Sequence, residues 1–335
     1  MFGVYLGVHK VHFSRKLAVV SVANFLVAKP NFVAVLFGVV YYSRVHAVNL
    51  ISVLLEKNTV LLGDNLSFLQ SMPDESVQLI YIDPPFNTGR QQTRGAATTE
   101  RSETGNRVGF RGQRYQTVRK TVLSYDDEFA DYWSFLEPRL EQAFRLLKPT
   151  GTLYLHLDFR EAHYAKVLLD ALFGPEHFLN EIIWAYDYGG KSKNRWPAKH
   201  DTILVYVKDP KNYYFDSESV DREPYMAPGL VTPEKVARGK LPTDVWWHTI
   251  VSPTGTEKTG YPTQKPEGIL RRIIQASSAP GDLVVDFFAG SGTTGAVAAQ
   301  LERRFVLIDQ NPDAIAVVEA RLKKLGVEFD VVREQ

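Results

Sequence analysis

The sequence predicts an α/β fold, a mostly parallel sheet with helices on both faces. Three observations predict it. Short apolar runs rich in strand formers alternate with helical segments from about residue 58 to 325. One such run, Val77-Gln78-Leu79-Ile80-Tyr81-Ile82, stops at Asp83-Pro84-Pro85-Phe86, where two prolines end the strand and lock a rigid turn. Another, Leu283 to Phe288, runs into Ala289-Gly290-Ser291-Gly292-Thr293-Thr294-Gly295 and a helix. Open α/β sheets place their ligands at the carboxyl ends of strands, so both turns are candidate sites.

Composition sets the outer limits. A chain of 335 residues holds one large domain or two modest ones. The formal net charge is +1, so any affinity for nucleic acid must come from local basic patches. The chain has no cysteine, which excludes disulfides, thiolate zinc sites and a thiolate nucleophile. No metal is expected. Leu17 to Tyr42 is mostly apolar, but Asn24 and Lys29-Pro30-Asn31 interrupt it. The two runs that remain, of about a dozen residues each, are too short to span a bilayer. No convincing small-residue cleavage site marks a signal peptide. The preferred reading of residues 1–50 is a non-native or disordered leader from an upstream translation start, with the true start near Val48. A packed helix pair and a membrane anchor are the alternatives. The body reads as cytoplasmic and nucleoid-associated, without a membrane partner.

Taken in order, Asn58 to Leu62 reads as a strand, followed by Gly63-Asp64-Asn65. Leu66 to Met72 reads as a short helix with Asn65 or Ser67 near its start. After the Asp83 turn the composition changes. Residues 90–125 carry eight basic side chains, Arg111 and Arg114 among them, against Glu100 and Glu103, a local net charge of +6. Gly, Thr, Gln and Ser fill the gaps, which predicts a mobile loop. It is either a solvated insertion or a flap that orders on nucleic-acid phosphates. Phe129 to Leu147 has Trp133, Leu136, Leu140, Phe144 and Leu147 at helical spacing, with a bend expected at Pro138.

Thr152 to Leu157 is the next strand, and Arg160 to Phe173 a helix stopped by Gly174-Pro175. Ile182 to Tyr186 and Thr202 to Val207 read as a strand pair. The loop between them carries Lys191, Lys193, Arg195, Trp196 and Lys199 and no acid from Gly189 to His200. It suits either an exposed hairpin tip or a nucleic-acid backbone. Residues 208–262 have weak periodicity and read as an irregular recognition region. Pro266 to Ser278 is a helix, Ala296 to Leu301 another, and Arg304 to Ile308 a strand ending at Asp309. Pro312 to Leu325 is a last amphipathic helix.

Gly290, Gly292 and Gly295 spell G-x-G-x-x-G after a strand and at a helix start, which permits a tight turn and close approach of a ligand. Asp309 ends the next strand, where a carboxylate accepts hydrogen bonds from ribose hydroxyls. These features alone indicate an adenosine-containing cofactor. A nicotinamide dinucleotide is the rival. A dinucleotide fold needs a second half beyond this point, and only one further strand–helix unit follows.

An early Asp-Pro-Pro-Phe and a late Phe-Ala-Gly-Ser-Gly, at residues 83–86 and 288–292, resemble the permuted, β-group DNA amino-methyltransferases over residues 58–325. Asp83 to Gly89, then Ser124-Tyr125-Asp126-Asp127, is most similar to the Mod subunits of type III restriction-modification systems and their solitary relatives. The resemblance implies a Rossmann-like, class I S-adenosylmethionine-dependent methyltransferase fold, circularly permuted. It implies a catalytic half at 51–184, a target-recognition region at 185–262 and a cofactor-binding half at 263–335. Asp64 resembles the acid that contacts the cofactor adenine, and Thr263-Gln264-Lys265-Pro266 the segment that closes over the methionine part. Asp286, Phe288, Gly290, Gly292, Thr293 and Asp309 complete the implied cofactor site, and Asp83, Pro84, Pro85 and Phe86 the catalytic one. Lys191, Lys193, Arg195, Lys199, Arg111 and Arg114 are the candidates for contact with double-stranded DNA. The resemblance leaves room for a homodimer and for a cognate restriction endonuclease.

The implied target is an exocyclic base amine, a poor nucleophile because its lone pair is delocalised into the ring. Asp83 and the carbonyl of Pro84 can each accept one of its N–H groups, and Phe86 offers a face for an extruded base. C5-cytosine methylation needs a cysteine thiolate and is excluded. N6 of adenine is the favoured target and N4 of cytosine the alternative. An RNA amino-methyltransferase and a non-catalytic DNA-binding protein are further alternatives.

Overall fold

The chain divides between His46 and Ala47 into two units. A computed structural model describes residues 55–86, 92–101, 107–108, 114–125, 132–189, 191–252 and 254–334, all in the second unit. The leader expected at 1–50 lies outside the described residues. The elements in chain order are β1 (Thr59–Leu62), α1 (Asn65–Ser71), β2 (Val77–Ile82), β3 (Gln92–Arg101), β4 (Arg107–Val108) and β5 (Arg114–Tyr125). Then come α2 (Tyr132–Leu146), β6 (Leu147–Leu157), α3 (Ala162–Phe173), β7 (Phe178–Ala185) and β8 (His200–Val207). They are followed by α4 (Pro233–Arg238), β9 (Val245–Trp247), α5 (Glu267–Ser277), β10 (Leu283–Asp286), α6 (Thr293–Gln300), β11 (Arg304–Asp309), α7 (Pro312–Lys324) and β12 (Asp330–Arg333). Among the described residues no helix is long and apolar enough to cross a membrane.

Nine strands form one sheet in the order β12-β1-β11-β10-β2-β6-β8-β7-β9. The first six run parallel; β8 is antiparallel to β6 and β7, and β9 is parallel to β7. Parallel strands covered on both faces are near-continuous apolar runs, with any polar residue hydrogen-bonded, as Gln78 of β2 is to the Thr150 carbonyl at 2.9 Å. β2 shows this: all six of its residues are buried. Ile80 and Ile82 pack with Leu69 of α1, Leu136 and Leu140 of α2, and Leu169 of α3 in one core. Leu79 and Tyr81 pack on the other face with Ile269 and Ile273 of α5, Val297 of α6 and Val318 of α7.

Chain direction reverses at the centre. From β2 the chain crosses to β6 on one side, and from β10 it crosses to β11 on the other. β10 and β2 are themselves neighbours, pairing Val284 with Leu79 and Val285 with Ile80. Such a switch point opens a crevice at the carboxyl ends of its two strands. Here those ends lead into Asp286 and Asp83, the two turns singled out in the sequence.

Three elements differ from the sequence reading. The stretch at 90–125, read there as a loop, contains an antiparallel sheet in the order β3-β5-β4, with Gln92–Arg101 laddered against Tyr115–Tyr125. Thr117-Val118 and Thr121-Val122 supply β-branched strand formers that the basic and small residues around them obscure. The region at 208–262 is mostly irregular, but it holds α4 and β9, and β9 joins the main sheet at its edge. β12 is a short outer strand beside β1, without a strong apolar signal of its own.

The centrality of β2 has a measurable consequence. Ile80→Ala should lower unfolding free energy by about 2–5 kcal/mol, the usual cost of a large-to-small change in a dense core. Val167→Ala, on the 70% exposed side of α3, should stay within about 0.5 kcal/mol. Urea unfolding with equal losses for the two variants would contradict this assignment of the core.

Candidate active site

The first wall of the crevice is the Asp83 turn. Pro84 is buried, while Asp83, Pro85 and Phe86 are half-buried. Asp83 Oδ2 is ion-paired with Lys265 Nζ. Asp83 Oδ1 is buried and has no hydrogen-bond partner among the described residues. An open, desolvated carboxylate oxygen is costly unless a donor reaches it, so it marks where a ligand N–H or O–H is accommodated. Lys265 Nζ also lies 5.0 Å from the centroid of the Phe86 ring. Asn87, Thr88 and Gly89 of the extended motif lie outside the described residues.

Behind Phe86 is a polar cluster from four neighbouring strands, β2, β6, β8 and the end of β7. The His156 ring centroid lies 6.0 Å from that of Phe86. His156 Nδ1 is 2.7 Å from the Tyr81 hydroxyl, and Nε2 is 3.2 Å from Asp201 Oδ2. The Tyr186 hydroxyl donates to the other Asp201 oxygen at 3.0 Å. Burial raises the Asp201 carboxyl, but the His156 bond, the His156 and Lys265 charges and the Tyr186 bond outweigh it and leave the carboxyl below its usual range. Burial pushes the Tyr81 hydroxyl well above its usual value, and the nearby carboxylates add to this. Tyr81, His156, Asp201 and Tyr186 were not singled out in the sequence. An apolar strand carrying one histidine, Thr152 to Leu157, was the available signal, but its partners are far away in the chain.

The glycine-rich turn forms the second wall. Gly290 and Gly292 have φ of +50° and +71°, a left-handed region that favours glycine. A Cβ at 292 would sit 2.9 Å from Val318, and one at 290 would sit 3.3 Å from the Tyr261 ring. The Gly290 N–H donates to Asp309 Oδ2 at 2.8 Å, and the Asn311 N–H to Oδ1 at 2.8 Å. The Gln310 N–H is a third backbone donor to this carboxylate, which leaves it one acceptor position for another donor. Burial raises the Asp309 carboxyl above its usual value, against these backbone bonds.

Asp286 braces the same turn. It accepts the Phe288 N–H at 3.0 Å and the Thr294 hydroxyl at 2.5 Å. Burial is the main cause that pushes its pKa up to about 7; Asp83 and Asp309 add to this, and the two hydrogen bonds oppose it.

Two arginine anchors hold the walls together. Arg321 donates to Thr293 Oγ1 at 2.8 Å and pairs with Glu267 Oε1 at 2.7 Å. Thr293 Oγ1 in turn donates to the Lys265 carbonyl at 3.0 Å. Asp64 is engaged by Arg139 Nη2 at 2.8 Å, and Arg139 Nε donates to Asn65 Oδ1 at 2.5 Å. Asn65 donates to the Phe287 carbonyl at 2.6 Å, which ties the end of β1 to the end of β10. Phe288 is half-buried against Phe135, with centroids 5.9 Å apart. Thr263 is exposed with φ +56°, and Gln264 folds its segment by accepting from Thr259 N at 2.8 Å and donating to the Glu257 carbonyl at 2.7 Å.

The basic loop between β7 and β8 leaves from the same edge of the sheet, because β7 runs parallel to β6. Lys191, Lys193 and Arg195 are exposed, and Trp196 is 95% exposed. Lys199 is half-buried, 4.0 Å from Asp187 and 3.4 Å from the Gly189 carbonyl. Arg111 lies outside the described residues, and Arg114 begins β5. A cavity of about 370 Å³, lined by Trp246, Phe215 and Arg272 among others, contains none of the residues expected at the site. Among the described residues no group of three His, Asp or Glu side chains is placed to hold a metal.

The DNA methylase family, the N6/N4 methyltransferases, matches residues 77–320. The DNA adenine methyltransferase YhdJ of Escherichia coli (strain K12) is 32% identical over 275 residues, 80% of this chain and 83% of that protein. The type II methyltransferase M.HpaI of Haemophilus parainfluenzae is 31% identical over 270 residues, 80% of this chain and 74% of its own. The solved PvuII DNA methyltransferase (cytosine-N4-specific) superposes with a TM-score of 0.56 at 18% identity, covering 82% of this chain and 95% of that one. TTHA0409 of Thermus thermophilus, complexed with S-adenosyl-L-methionine, gives 0.51 at 20% identity, with 82% and 99% covered. At these identities the two structures show the shared fold.

Asp286 makes stability depend on pH. Its folded pKa of about 7 lies above the ordinary 3.8, so its contribution is fullest below about pH 4 and is lost as pH rises through about 7. Asp286→Asn keeps a neutral side chain of similar shape throughout. Thermal melting from pH 5 to 8.5 should therefore show the wild type losing stability relative to the variant as pH rises. A constant difference across that range would contradict the assignment.

Proposed function

The chain belongs to the DNA methylase family of N6-adenine and N4-cytosine methyltransferases, and from that premise we propose that it methylates N6 of an adenine turned out of the duplex, at Asp83. It is an S-adenosylmethionine-dependent DNA methyltransferase. The observation that carries the residue assignment is the buried, unpartnered Oδ1 of Asp83, at a strand end beside the glycine turn. The choice of adenine is supported by the adenine-methyltransferase relative at 32% identity; N4 of cytosine presents the same pair of N–H donors and is the alternative.

The residues of the second wall fit the cofactor. Gly290 and Gly292 allow a left-handed turn that exposes backbone to the crevice without a side chain, and Asp309 retains acceptor capacity for ribose hydroxyls. Phe288, Asp286 and Thr293 shape that side of the crevice, with Asp64 and Thr263 at its rims. S-adenosylmethionine supplies, when bound, an electrophilic methyl group on a sulfonium.

On the opposite wall, Asp83 Oδ1 accepts one N–H of the target amine and the Pro84 carbonyl the other. This draws the nitrogen toward a pyramidal form with its lone pair directed across the crevice. Positive charge that develops on nitrogen is met by the Asp83 carboxylate in a water-poor site. Phe86 stacks on the extruded base, and His156, Tyr81 and Trp184 support it from behind. With the cofactor bound, two rigid strand ends would keep its methyl group and the target amine on facing walls, which would remove much of the entropic barrier.

Lys191, Lys193, Arg195 and Lys199 contact the DNA backbone from the same edge, and Arg111 and Arg114 of the 90–125 insertion are further candidates for such contact. The region at 185–262 reads the target sequence, between the catalytic and cofactor-binding halves. The setting is a restriction-modification system in the cytoplasm at the nucleoid, with a homodimer to serve both strands and a cognate endonuclease as candidate partners.

Transfer of a tritiated methyl group to duplex DNA tests the residue assignment. Asp83→Ala should lose about 100-fold or more in kcat, the usual scale for removing a transition-state contact, while still binding S-adenosylmethionine. Wild-type turnover in the variant would overturn the role of Asp83.

A further inference from the structure

We propose that Lys265 positions the catalytic carboxylate of Asp83, fixing which of its oxygens receives the target amine, and is not a ligand of the cofactor. The inference rests on the functional reading above and deepens it. Lys265 comes from the segment expected to close over the methionine part of the cofactor, yet its ammonium is turned on Asp83. Both side chains are largely buried, at 9% exposure for Lys265 and 18% for Asp83.

The pair divides the carboxylate into two unlike oxygens. Oδ2 is held by Lys265, and Oδ1 is left buried and open. A free carboxylate can rotate and offer either oxygen. A carboxylate pinned on one side presents a single acceptor in a single direction, which is what an amine needs if its lone pair is to line up with a methyl group on the facing wall. Lys265 also faces the Phe86 ring, so one ammonium touches both groups assigned to the target base. Its charge offsets a crowd of carboxylates, since Asp83, Asp286 and Asp201 all converge on this end of the sheet.

Lys265 is itself held from the cofactor side. Its carbonyl accepts the Thr293 hydroxyl at 3.0 Å, and Thr293 is held by Arg321 at 2.8 Å. Pro266 restricts Lys265 to extended backbone, which limits the directions its side chain can take. Thr293 lies in the turn that carries Gly290 and Gly292. The path Thr293–Lys265–Asp83 therefore sets the position of the methyl acceptor from the loop that holds the donor.

Two variants of the full chain test this, each measured for kcat on duplex DNA, for cofactor affinity by calorimetry and for melting temperature. Lys265→Met removes the ammonium, and kcat should fall about 10- to 100-fold with cofactor Kd changed less than about threefold. Lys265→Arg keeps the charge and protects folding if the Met variant is unstable. Its planar fork can occupy both carboxylate oxygens, including the one the amine needs. The Arg variant should therefore melt like the wild type and bind cofactor like the wild type, but turn over at least 10-fold more slowly. Full turnover of the Arg variant, or a weakened cofactor Kd at unchanged kcat in either variant, would overturn the proposal. Wild-type protein without methyl transfer to DNA would overturn the functional reading and this inference together, whereas normal wild-type turnover with unimpaired variants would overturn this inference alone.

Discussion

The structure depends on one pairing, β10 against β2. Only Val284 with Leu79 and Val285 with Ile80 are in register, yet this short contact joins segments about two hundred residues apart. Asp286 follows Val285 directly, and Asp83 is the third residue after Ile80. The pairing puts both on the rim of one crevice. It holds because every residue of both strands is buried, so each strand packs against helices on both faces. A slip of one residue would turn Leu79 and Tyr81 into the wrong core and move Asp83 away from Lys265.

A crevice lined with carboxylates needs compensation. Asp83, Asp286 and Asp309 sit at or just beyond the ends of three neighbouring strands, where the charges of Asp83 and Asp309 add to the burial that raises Asp286. Each is given a different partner. Asp83 has Lys265, Asp309 has the backbone N–H groups of Gly290, Gln310 and Asn311, and Asp286 has a hydroxyl and one N–H and is left with a pKa of about 7. The lysine-paired and open acceptor is thus on the wall assigned to the base. The hydrogen-bonded acids are on the wall assigned to the cofactor, where a positive sulfonium favours their charged forms.

What was legible in the sequence was local. The strand into Asp83-Pro84-Pro85, the glycine turn after Asp286 and the Asp309 strand end all announce themselves by short apolar runs and turn residues. The carriers of the resemblance are the same residues. What was not legible was pairwise and distant. Lys265 reads as one more cation until the fold turns it on Asp83, 182 residues away. His156 and Asp201 read as polar interruptions of apolar strands until β6 and β8 are seen side by side. The insertion at 90–125 misled in the opposite sense, since its arginines and glycines outweighed the β-branched residues of β5. Composition reports solvent exposure well, but strand pairing depends on alternation.

The most direct test of the account is to find the methylated base itself. DNA from cells expressing the chain, read by single-molecule sequencing, should carry N6-methyladenine within one short sequence motif, and none where the chain is not expressed. N4-methylcytosine in such a motif would keep the crevice and its residues but contradict the choice of adenine. No modified base in the DNA, from protein that binds S-adenosylmethionine, would contradict the assignment of DNA as the substrate.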